Sequence, residues 1–110
     1  MIYTSYFSNL RNIPIDKIIP ICISRYKPKS LEIVHYTLLA PSVGLLSNYK
    51  NKSVSKAEYT SQFNKHLNKL NVNLIKEQLL SFGDDVVLVC YEKPSDFCHR
   101  HLVAKWLRDK

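Results

Sequence analysis

The sequence predicts a single α/β domain over residues 1–110, with a small, mainly parallel sheet flanked by helices in a Rossmann-like three-layer arrangement. Three observations carry that expectation. Short apolar runs rich in β-branched residues alternate with longer segments of helical periodicity, as a parallel sheet with crossover helices requires. At 110 residues, 45% of them hydrophobic, the chain is large enough for one core and too short for two. A charged fraction of 23% belongs to a folded chain rather than a disordered tail.

The elements follow in order. "MIYTSYF" alternates and is rich in β-branched and aromatic residues, so it reads as a first strand ending near Ser5. After the turn-like "SNLRNIP", the run "KIIPICIS" is almost continuously apolar and reads as a strand buried on both faces. Pro20 has no N–H to give to a ladder, which places it at the start of that strand or on an edge. In "RYKPKSLEIVHYTLLAPSVGLLSNYKNK", Pro28, Pro41 and Gly44 predict a loop, a short element around "LEIVHYTLLA" and a second loop.

"SVSKAEYTSQFNKHLNKL" predicts a helix capped by Ser53 or Ser55, with Glu58 in its first turn and Tyr59, Phe63, Leu67 and Leu70 at helical spacing. "NLIKEQLLSFG" predicts another, with Leu74, Ile75, Gln78, Leu79 and Phe82 on one side and Gly83 as its stop. "DDVVLVCYE" reads as a strand from Val86 to Val89 bounded by Asp84 and Asp85. The final helix, in "PSDFCHRHLVAKWLRDK", has Ser95 as cap, Asp96 against the positive end of its dipole, and Leu102, Val103, Trp106 and Leu107 on its buried face.

Several function classes are excluded at this level. Two glycines, with no GxGxxG and no GxxxxGK[ST], leave no phosphate-cradling loop. Nothing approaches the roughly 18 apolar residues of a membrane span, and the N-terminus lacks the pattern of a signal peptide. Cytoplasmic residence and reduced thiols are expected, with no membrane partner. Cys22, Cys90 and Cys98 lack paired CxxC spacing, so no zinc site and no cofactor is expected. The formal charge of +7 attracts phosphates, nucleic acid or acidic lipid, and it is spread along the chain without a basic block.

In a parallel sheet the ligand site lies beyond the carboxyl ends of the strands. That edge gathers Ser5 and Tyr6, Ser24 and Arg25, Cys90 and Glu92, and the helix start at Cys98. A thiol at the third helical position has a lowered pKa, which makes Cys98 a candidate nucleophile; its alternative is a packed cysteine one turn from Leu102. Cys90 stands where phosphatases and rhodaneses place a catalytic cysteine, but the arginine those enzymes need six positions later is here Asp96. Cys98 and His101 could share a metal with Cys90, although adjacent Cys98 and His99 cannot converge on one.

Arg25 and Arg100 are stronger candidates. Each offers a planar fork suited to phosphate or carboxylate, and a helix N-terminus stands beside them. Their alternatives are a pair with Glu92 or Asp96 for Arg100 and a solvated loop charge for Arg25. His99 shares a face with Val103 and Trp106, which favours a hydrogen-bonded structural histidine over a base. Tyr26, Tyr36, Tyr49 and Tyr59 are candidates for a stacking platform under a base, or ordinary core and rim residues.

"VVLVCYEKPSDFCHRHLVAKWL" closely resembles the C-terminal signature of the domain of unknown function 488 family, an apolar strand ending in Cys, then Glu, then Cys-His-Arg opening a helix. "YTSYFSNLRNIP", "IIPICISRYKP" and "LLAP" are similar to the small branch of that family. The resemblance implies a compact α/β domain with a pocket lined by Arg25, Cys90, Glu92, Cys98, His99 and Arg100. It supplies no reaction.

Together these features lead us to expect binding of an anionic small molecule, a nucleotide or nucleotide-derived metabolite or signal, by Ser5, Tyr6, Ser24, Arg25, Cys90, Glu92, His99 and Arg100. Sequestration of that molecule would suit a phage protein. One alternative is an enzyme on a phosphorylated or glycosidic nucleotide-like substrate, with Cys98 or Glu92 as the reactive group. Another is a nucleic-acid-binding protein driven by the basic charge. A homodimer is compatible with the small size.

Overall fold

The computed structural model describes residues 1–14, 16–91 and 99–109. Four strands, β1 (Ile2–Tyr6), β2 (Ile19–Cys22), β3 (Val34–His35) and β4 (Val86–Cys90), form one all-parallel sheet in the order β1-β4-β2-β3. The register aligns Ile2 and Ile19 with Val86, and Thr4, Ile21 and Val34 along the row of Leu88. The last apolar run of the sequence is therefore a central strand, and every residue of β4 is buried.

Pro20 lies within β2, which has neighbours on both sides. Odd-numbered residues of this strand point their N–H groups at β4, with Ile19 donating to Asp85 and Ile23 to Val89. Position 20 therefore points the other way, where pairing with β3 begins only at Ile21. The missing donor falls where no strand stands to receive it.

The helices are α1 (Val43–Lys50), α2 (Lys56–Asn68), α3 (Val72–Leu80) and α4 (His99–Asp109), with 3-10 turns at Phe7–Asn12 and Thr37–Leu39. In α2, Ser55 accepts the Glu58 N–H at 3.1 Å, an N-cap that fixes the start, and its hydroxyl donates to the Glu58 carboxylate at 3.4 Å. Tyr59, Phe63 and Leu67 form its buried stripe.

α1 replaces the loop expected after Pro41. Ser42 caps it by accepting the Leu45 N–H at 3.1 Å. Leu45 and Tyr49 pack against the core, and a Cβ at Gly44 would meet no atom within 4 Å. Capping and packing outweigh the one unfavourable glycine, and Pro41 precedes the helix rather than ending it.

α3 buries Ile75 and Leu79. Leu74 is 50% exposed and Phe82 39%, and Gln78 is exposed, so the expected inner face is corrected to Val72, Ile75 and Leu79. The i, i+3, i+7 stripe faces the sheet; Leu74, one position from Ile75, is rotated away from it.

Gly83 does not act as a left-handed helix stop, since no glycine has positive φ. It is required by proximity, because a Cβ there would stand 2.7 Å from Ile19 Cγ1. Gly83→Ala should lower stability by about 1–3 kcal/mol through overpacking, read from the denaturant midpoint, whereas Gly44→Ala should not destabilise.

Residues of α2, α3 and α4 form one core with Ile21, Ile23, Val86 and Leu88, and α1 packs against it through Leu45 and Tyr49. All four helices thus share one face of the sheet. On the opposite face, Asn9 of the first 3-10 turn donates to Ser5 Oγ at 3.0 Å, and Ile13 and Ile18 line a shallow hollow together with Val87. That segment supplies the third layer of the single α/β domain. No helix among the described residues is long and apolar enough to cross a membrane.

Candidate functional site

The chain leaves β2 toward β3 and leaves β4 toward α4, so a crevice opens beyond the carboxyl ends of these adjacent strands. A cavity of about 150 Å³ lies there, lined by Ser24 and Arg25 after β2, Tyr91 after β4, His99 at the start of α4, Tyr49 and Lys50 of α1, and Tyr59 of α2. Tyr26, Pro41 and Leu46 complete the wall. Four tyrosines, one arginine and one lysine thus converge on one concave surface.

Arg25 is fixed at its inner edge, where Nε donates to the Pro41 carbonyl at 2.8 Å. That bond orients the guanidinium, whose two terminal nitrogens have no hydrogen-bond partner among the described residues. No carboxylate among the described residues forms an ion pair with Arg25 or Lys50.

His99 is 6% exposed and makes a 2.7 Å hydrogen bond through Nε2 to the Ile23 carbonyl. Since a carbonyl only accepts, Nε2 carries the proton. Burial lowers the imidazole pKa to about 4, partly offset by that hydrogen bond, with the neighbouring Arg100 charge lowering it further. His99 is therefore neutral at pH 7 and stands edge-on to Phe63 at 5.4 Å.

Arg100 is placed behind the cavity rather than on its wall. It is 1% exposed, its Nη1 donates to the Ser5 carbonyl at 2.7 Å and to Cys90 Sγ at 3.4 Å, and its Cζ lies 5.8 Å from the Tyr6 ring centroid. It ties the start of α4 to the ends of β1 and β4.

The expected residues thus separate into two groups. Ser24, Arg25 and His99 line the cavity; Ser5, Tyr6, Cys90 and Arg100 form a cluster beside it. Glu92 and Cys98 lie outside the described residues, as do Ser95 and Asp96. Cys90 is fully buried and disulfide-bonded, which corrects the expectation of reduced thiols at this position. Cys22 is a free thiol whose pKa is raised by burial, so it is poorly suited to nucleophilic chemistry.

Tyr26, Tyr49 and Tyr59 meet in the cavity, whereas Tyr36 bonds Gln78 elsewhere. Lys50 and Tyr91 were not anticipated. Lys50 depends on α1, which the prolines and glycine concealed; Tyr91 follows a buried strand directly, which was a readable signal. No group of three or more His, Cys, Asp or Glu side chains among the described residues could hold a metal.

A family model described as the active DUF488-N3 subclade matches residues 5–110. The chain belongs to the DUF488 family. The match covers every element that lines the cavity, and it includes the C-terminal strand and helix whose sequence suggested the family. No curated protein and no solved structure matches this DUF488 chain.

Proposed function

We propose that this DUF488 protein binds an anionic, nucleotide-like small molecule in the cavity at the carboxyl edge of the sheet. The observation that carries the reading is the convergence of Tyr26, Tyr49, Tyr59 and Tyr91 with Arg25 and Lys50. Aromatic rings offer a sequence-tolerant surface for a base, worth roughly 1–3 kcal/mol per stacked base. The terminal nitrogens of Arg25 and the ammonium of Lys50 match a phosphate, the first as a fork and the second as a point charge. Neutral His99 contributes a polar edge without a second fixed charge.

Holding the ligand without turnover fits the described lining. It contains no carboxylate, and the Nε2 of its histidine is committed to a main-chain carbonyl. A nucleophile, a base and an orienting partner in mutual register are therefore not assembled among these side chains.

A second reading, an enzyme acting on a phosphorylated or glycosidic nucleotide-like substrate, is favoured by the word "active" in the family description. It is also favoured by the place of Glu92 in the sequence, adjacent to the cavity residue Tyr91. A binder returns its nucleotide intact on denaturation; an enzyme yields a product of altered mass.

Calorimetric titration with the four nucleoside 5′-monophosphates tests the site. Arg25→Ala and Lys50→Ala should each weaken binding about tenfold, which is roughly 1.4 kcal/mol, and the double variant about a hundredfold. Thermal stability should stay close to that of the parent, since both side chains reach solvent. Full affinity in the double variant would overturn the assignment.

A further inference from the structure

The cavity just described has a neighbour. A second cavity of about 220 Å³ is lined by Arg25, Ala40, Ser42, Leu45, Gln62, Phe63 and His66. Arg25 is the residue common to both walls. The two hollows also share their helices: α2 gives Tyr59 to the first and Gln62, Phe63 and His66 to the second. α1 gives Leu46, Tyr49 and Lys50 to the first and Leu45 to the second, with its cap Ser42. They therefore follow one another along α2, and the rise of an α-helix puts His66 about 10 Å beyond Tyr59.

The chemistry of the two differs. The first is walled by tyrosines and carries Lys50. Beside Arg25, the second carries the polar side chains of Ser42, Gln62 and His66. Gln62 is exposed, and its amide has no hydrogen-bond partner among the described residues. Ser42 Oγ accepts from the Leu45 N–H, which leaves the hydroxyl proton to donate. His66 makes a 2.7 Å bond through Nε2 to the Leu38 carbonyl, so Nδ1 is an acceptor when the ring is neutral. Such a set suits sugar hydroxyls or a base edge better than a second phosphate.

Resting on the nucleotide reading above, we infer that the ligand is a nucleotide whose phosphate is itself linked to a second group. Its base lies among the tyrosines, its phosphate at Arg25, and its second moiety in the cavity of Gln62 and His66. The pinned orientation of Arg25 supports this. With Nε held by Pro41, the guanidinium is fixed between the two hollows. A terminal phosphate bound there would leave the second hollow to water; a phosphodiester or diphosphate has a substituent to place in each direction.

The test compares the four nucleoside 5′-monophosphates with the four symmetric dinucleoside diphosphates by calorimetry. For at least one base, the dinucleotide should bind at least tenfold more tightly than the monophosphate. Gln62→Ala should erase most of that advantage, and Gln62→Glu, which sets a negative charge against the phosphates, should erase it entirely. Gln62→Ala should bind the monophosphate as the parent does.

Equal affinity for the two classes, with both Gln62 variants indifferent, would overturn the inference while leaving the nucleotide reading in place. Binding of neither class would overturn both. A homopolymeric single strand binding more tightly than the dinucleotide, with affinity falling steeply in salt, would assign the second moiety to a nucleic-acid end. Equal or weaker strand binding would assign it to a free dinucleotide.

Discussion

Arg100→Ala is expected to lower folding stability by about 3 kcal/mol, a loss set by cavity formation and the loss of the guanidinium's hydrogen bonds. Arg100 heads the largest fully buried side chains. Its guanidinium gives up hydration on burial, and its hydrogen bonds to the Ser5 carbonyl and Cys90 Sγ help to offset that loss. Alanine removes the volume and leaves a main-chain carbonyl of β1 without that partner. Lysine keeps the charge without the planar fork, so it too should destabilise.

Equilibrium denaturation gives the value directly. A change below about 1 kcal/mol would show that this arginine is not the clamp between α4 and the two strand ends. The same reasoning separates the two arginines that the sequence grouped together: loss of Arg25 should be felt in binding, and loss of Arg100 in folding.

The second large effect concerns His99 and pH. Its folded pKa is lowered from 6.5 to about 4. Above pH 6.5 both folded and unfolded forms are neutral, and the full stability is present. Between 6.5 and 4 the unfolded chain takes up a proton that the folded one does not, so stability falls as the pH falls through that window. The cumulative loss is about 3 kcal/mol, given 1.36 kcal/mol per unit.

Carboxylates also titrate near the lower end, so the informative quantity is the difference from His99→Gln. Glutamine does not titrate and its amide can donate to the Ile23 carbonyl. Denaturation midpoints from pH 7 to pH 4 should fall more steeply for the parent than for His99→Gln. Parallel curves would show that the imidazole is not held neutral in the fold.

Much of the fold was legible because its signals are local. The unbroken apolar run at Val86 to Val89 announces a strand covered on both faces, and Ser55 with Glu58 announces the start of α2. β3 was hidden because a two-residue strand has no periodicity. The strand order was hidden because it depends on contacts between residues far apart in the chain.

At the site, Ser24 and Arg25 could be found because they follow a buried strand in a parallel sheet. Arg100 drew attention for its chemistry, yet nothing in "CHRH" says that its head group turns inward. Burial of a guanidinium is decided by which carbonyls the sheet presents, and Ser5 is far away in sequence. Tyr49 and Lys50 act together because α1 exists, and α1 exists because Ser42 caps it and Leu45 and Tyr49 meet the core.

The most direct test of the central claim is mass spectrometry of what the protein carries. The parent and Arg25→Ala/Lys50→Ala would each be incubated with a small-molecule cell extract, re-isolated and denatured, and the released compounds compared. The account predicts an intact, base-containing phosphorylated compound from the parent and little or none from the variant. Release of no such compound from the parent, or equal amounts from both proteins, would contradict it.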